Sequence, residues 1–175
     1  MRDLAGEVKI REFMRLLGRA VKSDVQVYFT GGATAVLFGW REATVDIDLG
    51  FWPEMDEIFR AIPDLKERLQ INIELALPPD FIPLLPGWED RCRFIAREGT
   101  VSFFHYDPYS QALSKIERGH DRDNEDVEAM LNLGLIEREK LASSFQDIRP
   151  NLYKYPAIDQ KDFAEAVQRI VESKI

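Results

Sequence analysis

Residues 25–51 read VQVYFTGGATAVLFGWREATVDIDLGF, and most of the architecture follows from this stretch. VQVYFT, 25–30, is rich in β-branched and aromatic residues and predicts a strand. Gly31-Gly32 ends it, and ATAVLFG predicts a short helix stopped near Gly39. Residues 44–51, TVDIDLGF, alternate and predict a second strand. Side chains alternate across a strand, so Val45, Ile47 and Leu49 share one face and suit a core. Asp46 and Asp48 share the other, roughly 7 Å apart along the backbone.

Working outward, residues 7–22 place Ile10, Phe13, Met14, Leu16, Leu17 and Val21 near helical spacing and predict an amphipathic helix. Pro53 and an acidic cluster open a helix at about 54–60. INIELAL, 71–77, alternates and predicts a third strand. Residues 78–91 hold four prolines and predict a loop, and 92–97 with 100–105 predict a hairpin about Glu98-Gly99. From Pro108 the texture turns helical through DPYSQALSKIERG, DNEDVEAMLNLG, EREKLASSFQDI and DQKDFAEAVQRIVESKI. Strands followed by a run of helices predict an α+β fold: a small mixed or antiparallel sheet with flanking helices and a helical C-terminal third. The expected division is a core over 1–106 and a helical extension over 107–175 packed on it.

Composition narrows the function. The 175 residues are 45% hydrophobic and 31% charged, an ordinary globular balance that can build a real core. No apolar run approaches the roughly 20 residues that span a bilayer. MRDLAGEVKIREFM has no apolar stretch of the secretory type. Cys92 is the single cysteine, so no disulfide forms within the chain, which fits a cytoplasmic setting. Cys92, His105 and His120 have no zinc-like spacing. The net charge of −8 gives no overall pull on nucleic acid, but it leaves room for a site that collects divalent cations.

Three features carry chemistry. Asp46 and Asp48 repel each other and gain little structurally, yet such a pair converges on hard cations, which take oxygen ligands. A lone Asp-x-Asp is most often the wet face of a strand, but aspartate is depleted from strands and two in one short strand call for a reason. Gly31-Gly32 lets backbone approach a ligand, the next helix offers N–H groups to phosphate, and Thr34 could add a hydroxyl. Neither a Rossmann nor a P-loop signature is present. Arg41 could clamp a phosphate, or it is a surface arginine. Lys115 and Arg118 share a helix face. Asp121 or Asp123 can cap the following helix. An EF-hand fails, because Asp126 stands where that loop needs glycine. Trp88, Phe94, Phe103, Phe104, Tyr106 and Tyr109 suit a core better than base stacking, although the PGWED loop, 86–90, could line a site.

GGATAVLFGWREATVDIDLGF resembles the polymerase-beta-type nucleotidyltransferase superfamily: a Gly-Gly or Gly-Ser, a helical turn, then Asp-x-Asp on the next strand. In detail it is similar to an uncharacterised bacterial and archaeal nucleotidyltransferase-like group related to abortive-infection and toxin–antitoxin nucleotidyltransferases. The resemblance is strongest over 27–51 and extends more weakly through 71–76 and 107–126. It implies transfer of a nucleoside monophosphate from a nucleoside triphosphate such as ATP to a hydroxyl on RNA, a protein or a small molecule. It implies magnesium or manganese on Asp46, Asp48 and Glu74, with Glu74 as third carboxylate and proton acceptor. Gly31 and Gly32 would sit against the triphosphate. Lys115 and Arg118 would serve its charge, with Asp123 and Asp126 orienting that cation or supporting the metals. A cognate toxin or antitoxin protein is an implied partner. The chain departs from the commoner pattern in carrying Glu at position 74 and glycine at 32, where Asp and Ser are frequent.

Two other readings stay open. A catalytically silent nucleotide-binding or antitoxin module would keep the same fold. A purely structural α+β domain with an acidic strand face would bind neither nucleotide nor metal.

Overall fold

The computed structural model describes residues 1–173 and is α+β, with strands β1 Ala5–Gly6, β2 Val25–Thr30, β3 Ala43–Thr44, β4 Asp46–Trp52, β5 Asn72–Leu75, β6 Arg93–Glu98 and β7 Val101–His105. The helices are α1 Glu7–Ala20, α2 Gly31–Phe38, α3 Asp56–Leu69, α4 Trp88–Arg91, α5 Pro108–Arg118, α6 Asp121–Asn132, α7 Arg138–Ile148 and α8 Gln160–Glu172. The last helix as expected from sequence runs on through Lys174 and Ile175, which lie outside the described residues. The chain divides into two compact units, 1–77 with 92–106, and 78–91 with 107–175. The proline-rich stretch 78–91, expected with the core, groups with the C-terminal helices.

The first unit is built on a five-stranded mixed sheet in the order β5-β4-β2-β7-β6. β2 runs antiparallel to β4 and parallel to β7, and β4 runs parallel to β5. One sheet face is dry. Val27, Phe29, Ile47, Leu49, Ile73, Val101 and Phe103 are buried there with Phe13 and Leu17 of α1 and Ile58 of α3. Burying such side chains gives roughly 1.5–3 kcal/mol each before the entropy cost of ordering them.

Local rules alone mislead in three places. The strand expected over 44–51 is broken at Val45, which is 56% exposed rather than buried. Thr44 pairs instead with Ala5 in a separate two-stranded sheet, and its hydroxyl donates to the Asp46 carbonyl at 2.9 Å, bending the chain there. Only Ile47 and Leu49 of the three expected residues reach the core. The helix expected at 54–60 continues to Leu69 through an internal Pro63. Proline removes a helical hydrogen bond, but Ile58, Ile62, Leu65 and Leu69 form one buried stripe. Packing of that stripe outweighs the local defect. Gly31 and Gly32 belong to the first turn of α2 rather than preceding it.

In the second unit, α5 is the buried element, and α6, α7 and α8 each pack on it. Asp107 caps α5: it accepts from the Tyr109 N–H at 3.0 Å and the Ser110 hydroxyl at 2.7 Å. Pro108 fits the first helical position, where its missing N–H is harmless. Asp107 is fully buried and also takes a two-pronged bond from Arg91, at 3.0 and 2.9 Å. That bond fastens the 78–91 stretch to α5, and the Tyr155 hydroxyl donates to the Pro79 carbonyl at 2.9 Å. No helix among the described residues is long and apolar enough to cross a membrane.

Candidate active site

The strand register decides the site. In the parallel β4–β5 pair, Asp46 stands opposite Asn72, and Asp48 stands opposite Glu74. Residues in register share a face. All four therefore project from the face of the sheet opposite Ile47, Leu49 and Ile73, which are buried in the core. Asp46 and Asp48 are half-buried and Glu74 is exposed. β2 supplies Thr30 opposite Asp48, and the chain then turns into α2 at Gly31.

The two glycines do different work. Gly31 has φ +62°, a left-handed conformation that side chains resist, and a Cβ there would lie 2.9 Å from Asp48 Oδ2. Its bare backbone therefore faces a proposed metal ligand. Gly32 is buried, and a Cβ there would collide with the Thr44 hydroxyl. Gly32 is thus required for packing of α2, while its backbone stays in the first turn of that helix.

Thr34 follows on the same helix. It is buried, and its hydroxyl lies 3.0 Å from His105 Nδ1 and 3.4 Å from the Phe29 carbonyl. It faces the end of β7. His105 packs on Phe38 with ring centroids 4.4 Å apart. Burial, with the charges of Arg11 and Arg93, pushes the His105 pKa down to about 4, so the ring is neutral at pH 7. Arg41 is half-buried just beyond the Gly39 cap, its N–H bonded to the Ala35 carbonyl at 3.3 Å.

Asn72 was not a candidate from sequence, yet it touches two of the carboxylates. Its side-chain nitrogen lies 2.5 Å from Asp46 Oδ1 and 3.3 Å from Glu74 Oε1. The signal was its place two residues before Glu74 on the same strand face. The donors on this face are carboxylate oxygens, the kind hard divalent cations take. Among the described residues, no three His, Cys, Asp or Glu side chains are arranged to hold a metal by themselves. Magnesium is commonly held by one or two carboxylates completed by substrate phosphates and water, and the Asp46–Asp48 pair fits that mode.

The second unit holds Lys115, Arg118, Asp123 and Asp126 in one network. Lys115 is 7% exposed, 2.7 Å from Asp126 and 3.9 Å from Asp123. Arg118 grips Asp123 with two bonds, at 2.7 and 2.5 Å. Asp123 also accepts from the His120 N–H at 3.3 Å. Burial works to raise the Asp123 pKa, but the bonds and charge of Arg118, with Lys115 and the His120 N–H, outweigh it and hold it below the usual carboxylate range. Asp126 pairs with Lys115, and Asp123 pairs with Arg118. Lys115 and Asp126 are buried against each other. Of the aromatic residues, Phe103, Tyr106 and Tyr109 are core, but Phe94 is 61% exposed at the sheet edge.

The family model described as "Nucleotidyltransferase of unknown function (DUF6036)" matches residues 8–172. The chain belongs to that family. No curated protein and no solved structure matches it significantly.

Proposed function

We propose that this member of the nucleotidyltransferase family transfers a nucleoside monophosphate from a nucleoside triphosphate to a hydroxyl acceptor on RNA, a protein or a small molecule. The observation that carries the reading is the register of Asp48 with Glu74, on the face that also bears Asp46 and abuts Gly31. Asp46 and Asp48 would hold magnesium or manganese together with triphosphate oxygens. When bound, the cation would neutralise charge on the triphosphate and on the attacking and leaving oxygens. The Gly31 backbone and the first turn of α2 would lie along the phosphates, where free N–H groups favour anions. Glu74, exposed and on the neighbouring strand, would take the proton from the acceptor hydroxyl. The hydroxyl oxygen then bonds to the α-phosphorus, the bond from that phosphorus to the bridging oxygen breaks, and pyrophosphate leaves.

The test is a thermal-shift titration with each nucleoside triphosphate, with and without magnesium, on the wild type and the Asp46→Asn/Asp48→Asn variant. A magnesium-dependent shift lost in the variant supports the reading and justifies a search for the acceptor. No shift with any nucleotide would overturn it.

A second reading is a catalytically silent nucleotide-binding or antitoxin module. It is favoured by glutamate at position 74 and glycine at position 32, where the resembling sequences commonly carry aspartate and serine. Nucleotide binding without pyrophosphate release, for any acceptor, distinguishes it. A toxin–antitoxin or defence setting rests on the sequence resemblance, and growth arrest on expression, relieved by a co-expressed partner, would test it.

A further inference from the structure

The four residues Asp46, Asp48, Asn72 and Glu74 form two adjacent rungs across β4 and β5. Three of them are carboxylates. The fourth is an amide whose nitrogen reaches one carboxylate on each rung, Asp46 at 2.5 Å and Glu74 at 3.3 Å. Ionised carboxylates only accept hydrogen bonds, so the amide must turn its NH₂ toward them, and that group has two hydrogens to give. The Asn72 carbonyl in the same place would face two anions and be repelled. Glu74 is exposed and has three rotatable bonds, and it stands among like charges that would drive it outward. A donor between it and Asp46 opposes that drift.

We infer that Asn72 is a positioning residue for the metal face: it holds Asp46 and Glu74 toward a common point and leaves Asp46 Oδ2 to meet the cation. This rests on the metal-dependent reading proposed above. Asn72 touches neither the reacting atoms nor the metal in this role. It acts through the carboxylates, as hydrogen-bond partners behind metal ligands commonly do.

The test uses the full chain, Mn²⁺ and inorganic triphosphate, which makes it independent of the base. Protein-bound Mn²⁺ is followed by electron paramagnetic resonance in the wild type, Asp48→Asn, Asn72→Ala and Asn72→Ser, with melting temperatures as the folding control. The expected result is binding by the wild type, loss in Asp48→Asn, and affinity about 10–100-fold weaker in Asn72→Ala. The Asn72→Ala spectrum should also change shape while the melting temperature holds. Asn72→Ser keeps one donor and should recover part of the affinity. Should Asn72→Ala melt early, the Asn72→Ser spectrum decides: an altered line shape in a folded protein supports the role. Wild-type affinity and line shape in both Asn72 variants, with Asp48→Asn still defective, overturn the positioning role alone. No binding by the wild type, or binding that survives in Asp48→Asn, overturns the metal reading and this inference together.

Discussion

Asp48 lies beside Gly31 so closely that a methyl group on that glycine would sit 2.9 Å from its Oδ2. The backbone proposed to lie along the phosphates and the proposed metal ligand are therefore one contact, made where β2 turns into α2 next to β4. This contact ties the glycine motif to the aspartate motif across 17 residues of sequence.

Gly31→Ala and Gly32→Ala should consequently fail in different ways. At Gly31 the left-handed backbone costs about 1–2 kcal/mol, and the new methyl displaces Asp48, so nucleotide-dependent stabilisation should fall by more than the fold does. At Gly32 the methyl meets Thr44, an overpacking that costs about 1–3 kcal/mol. Chemical denaturation with and without Mg²⁺ and nucleotide should show Gly32→Ala less stable but, at temperatures where it is folded, still binding. Equal binding loss in both would contradict the separate roles.

Asp48→Asn is nearly isosteric and removes one charge from a half-buried position. The expected outcome is a folded protein whose melting temperature without ligand changes much less than its response to ligand. With magnesium and nucleotide at about 100 times the dissociation constant, the wild type should gain about 2.7 kcal/mol and the variant should not. Differential scanning calorimetry reads both.

Lys115 and Asp126 form an ion pair with side chains 7% and 2% exposed. Removing one partner leaves the other's buried charge less compensated, so Lys115→Met and Asp126→Leu should each destabilise the fold, by up to about 3–5 kcal/mol. The double variant should cost clearly less than the sum, because it removes both charges. Urea unfolding of the four proteins measures the coupling. Additive losses would mean the pair is not a unit.

His105 gives stability a pH slope. Its pKa is about 4 in the fold against 6.5 when exposed, so between those values the unfolded chain binds the extra proton. Stability from this group is fully present above pH 6.5 and is lost as pH falls toward 4, by roughly 3 kcal/mol in total. His105→Gln keeps a partner for Thr34 but cannot titrate, and its unfolding free energy should vary less over that window. An unchanged slope would place the titration elsewhere.

The alternation of residues 44–51 and the glycines at 31 and 32 made the sheet, the first strand–helix–strand unit and the aspartate pair legible, because period-2 patterning and turn chemistry are local. The helical C-terminal third was legible for the same reason, through 3.6-residue periodicity. What remained hidden depends on partners distant in sequence. Nothing local says that Val45 leaves the core: Thr44 pairs with Ala5, thirty-nine residues earlier. The helix expected at about 54–60 runs on to Leu69 through Pro63, carried by the buried stripe from Ile58 to Leu69.

The site divides along the same line. By itself, the amino-acid order determined that two carboxylates would share a strand face next to a glycine-led helix. It could not determine that β5 lies parallel to β4 with Asp48 opposite Glu74, nor that Asn72 would reach Asp46. Nor could it show that Thr34 faces His105 and that Lys115 is consumed by Asp126. A side chain's availability depends on which strand or helix packs against it, and strand register and burial are set by the folded core as a whole.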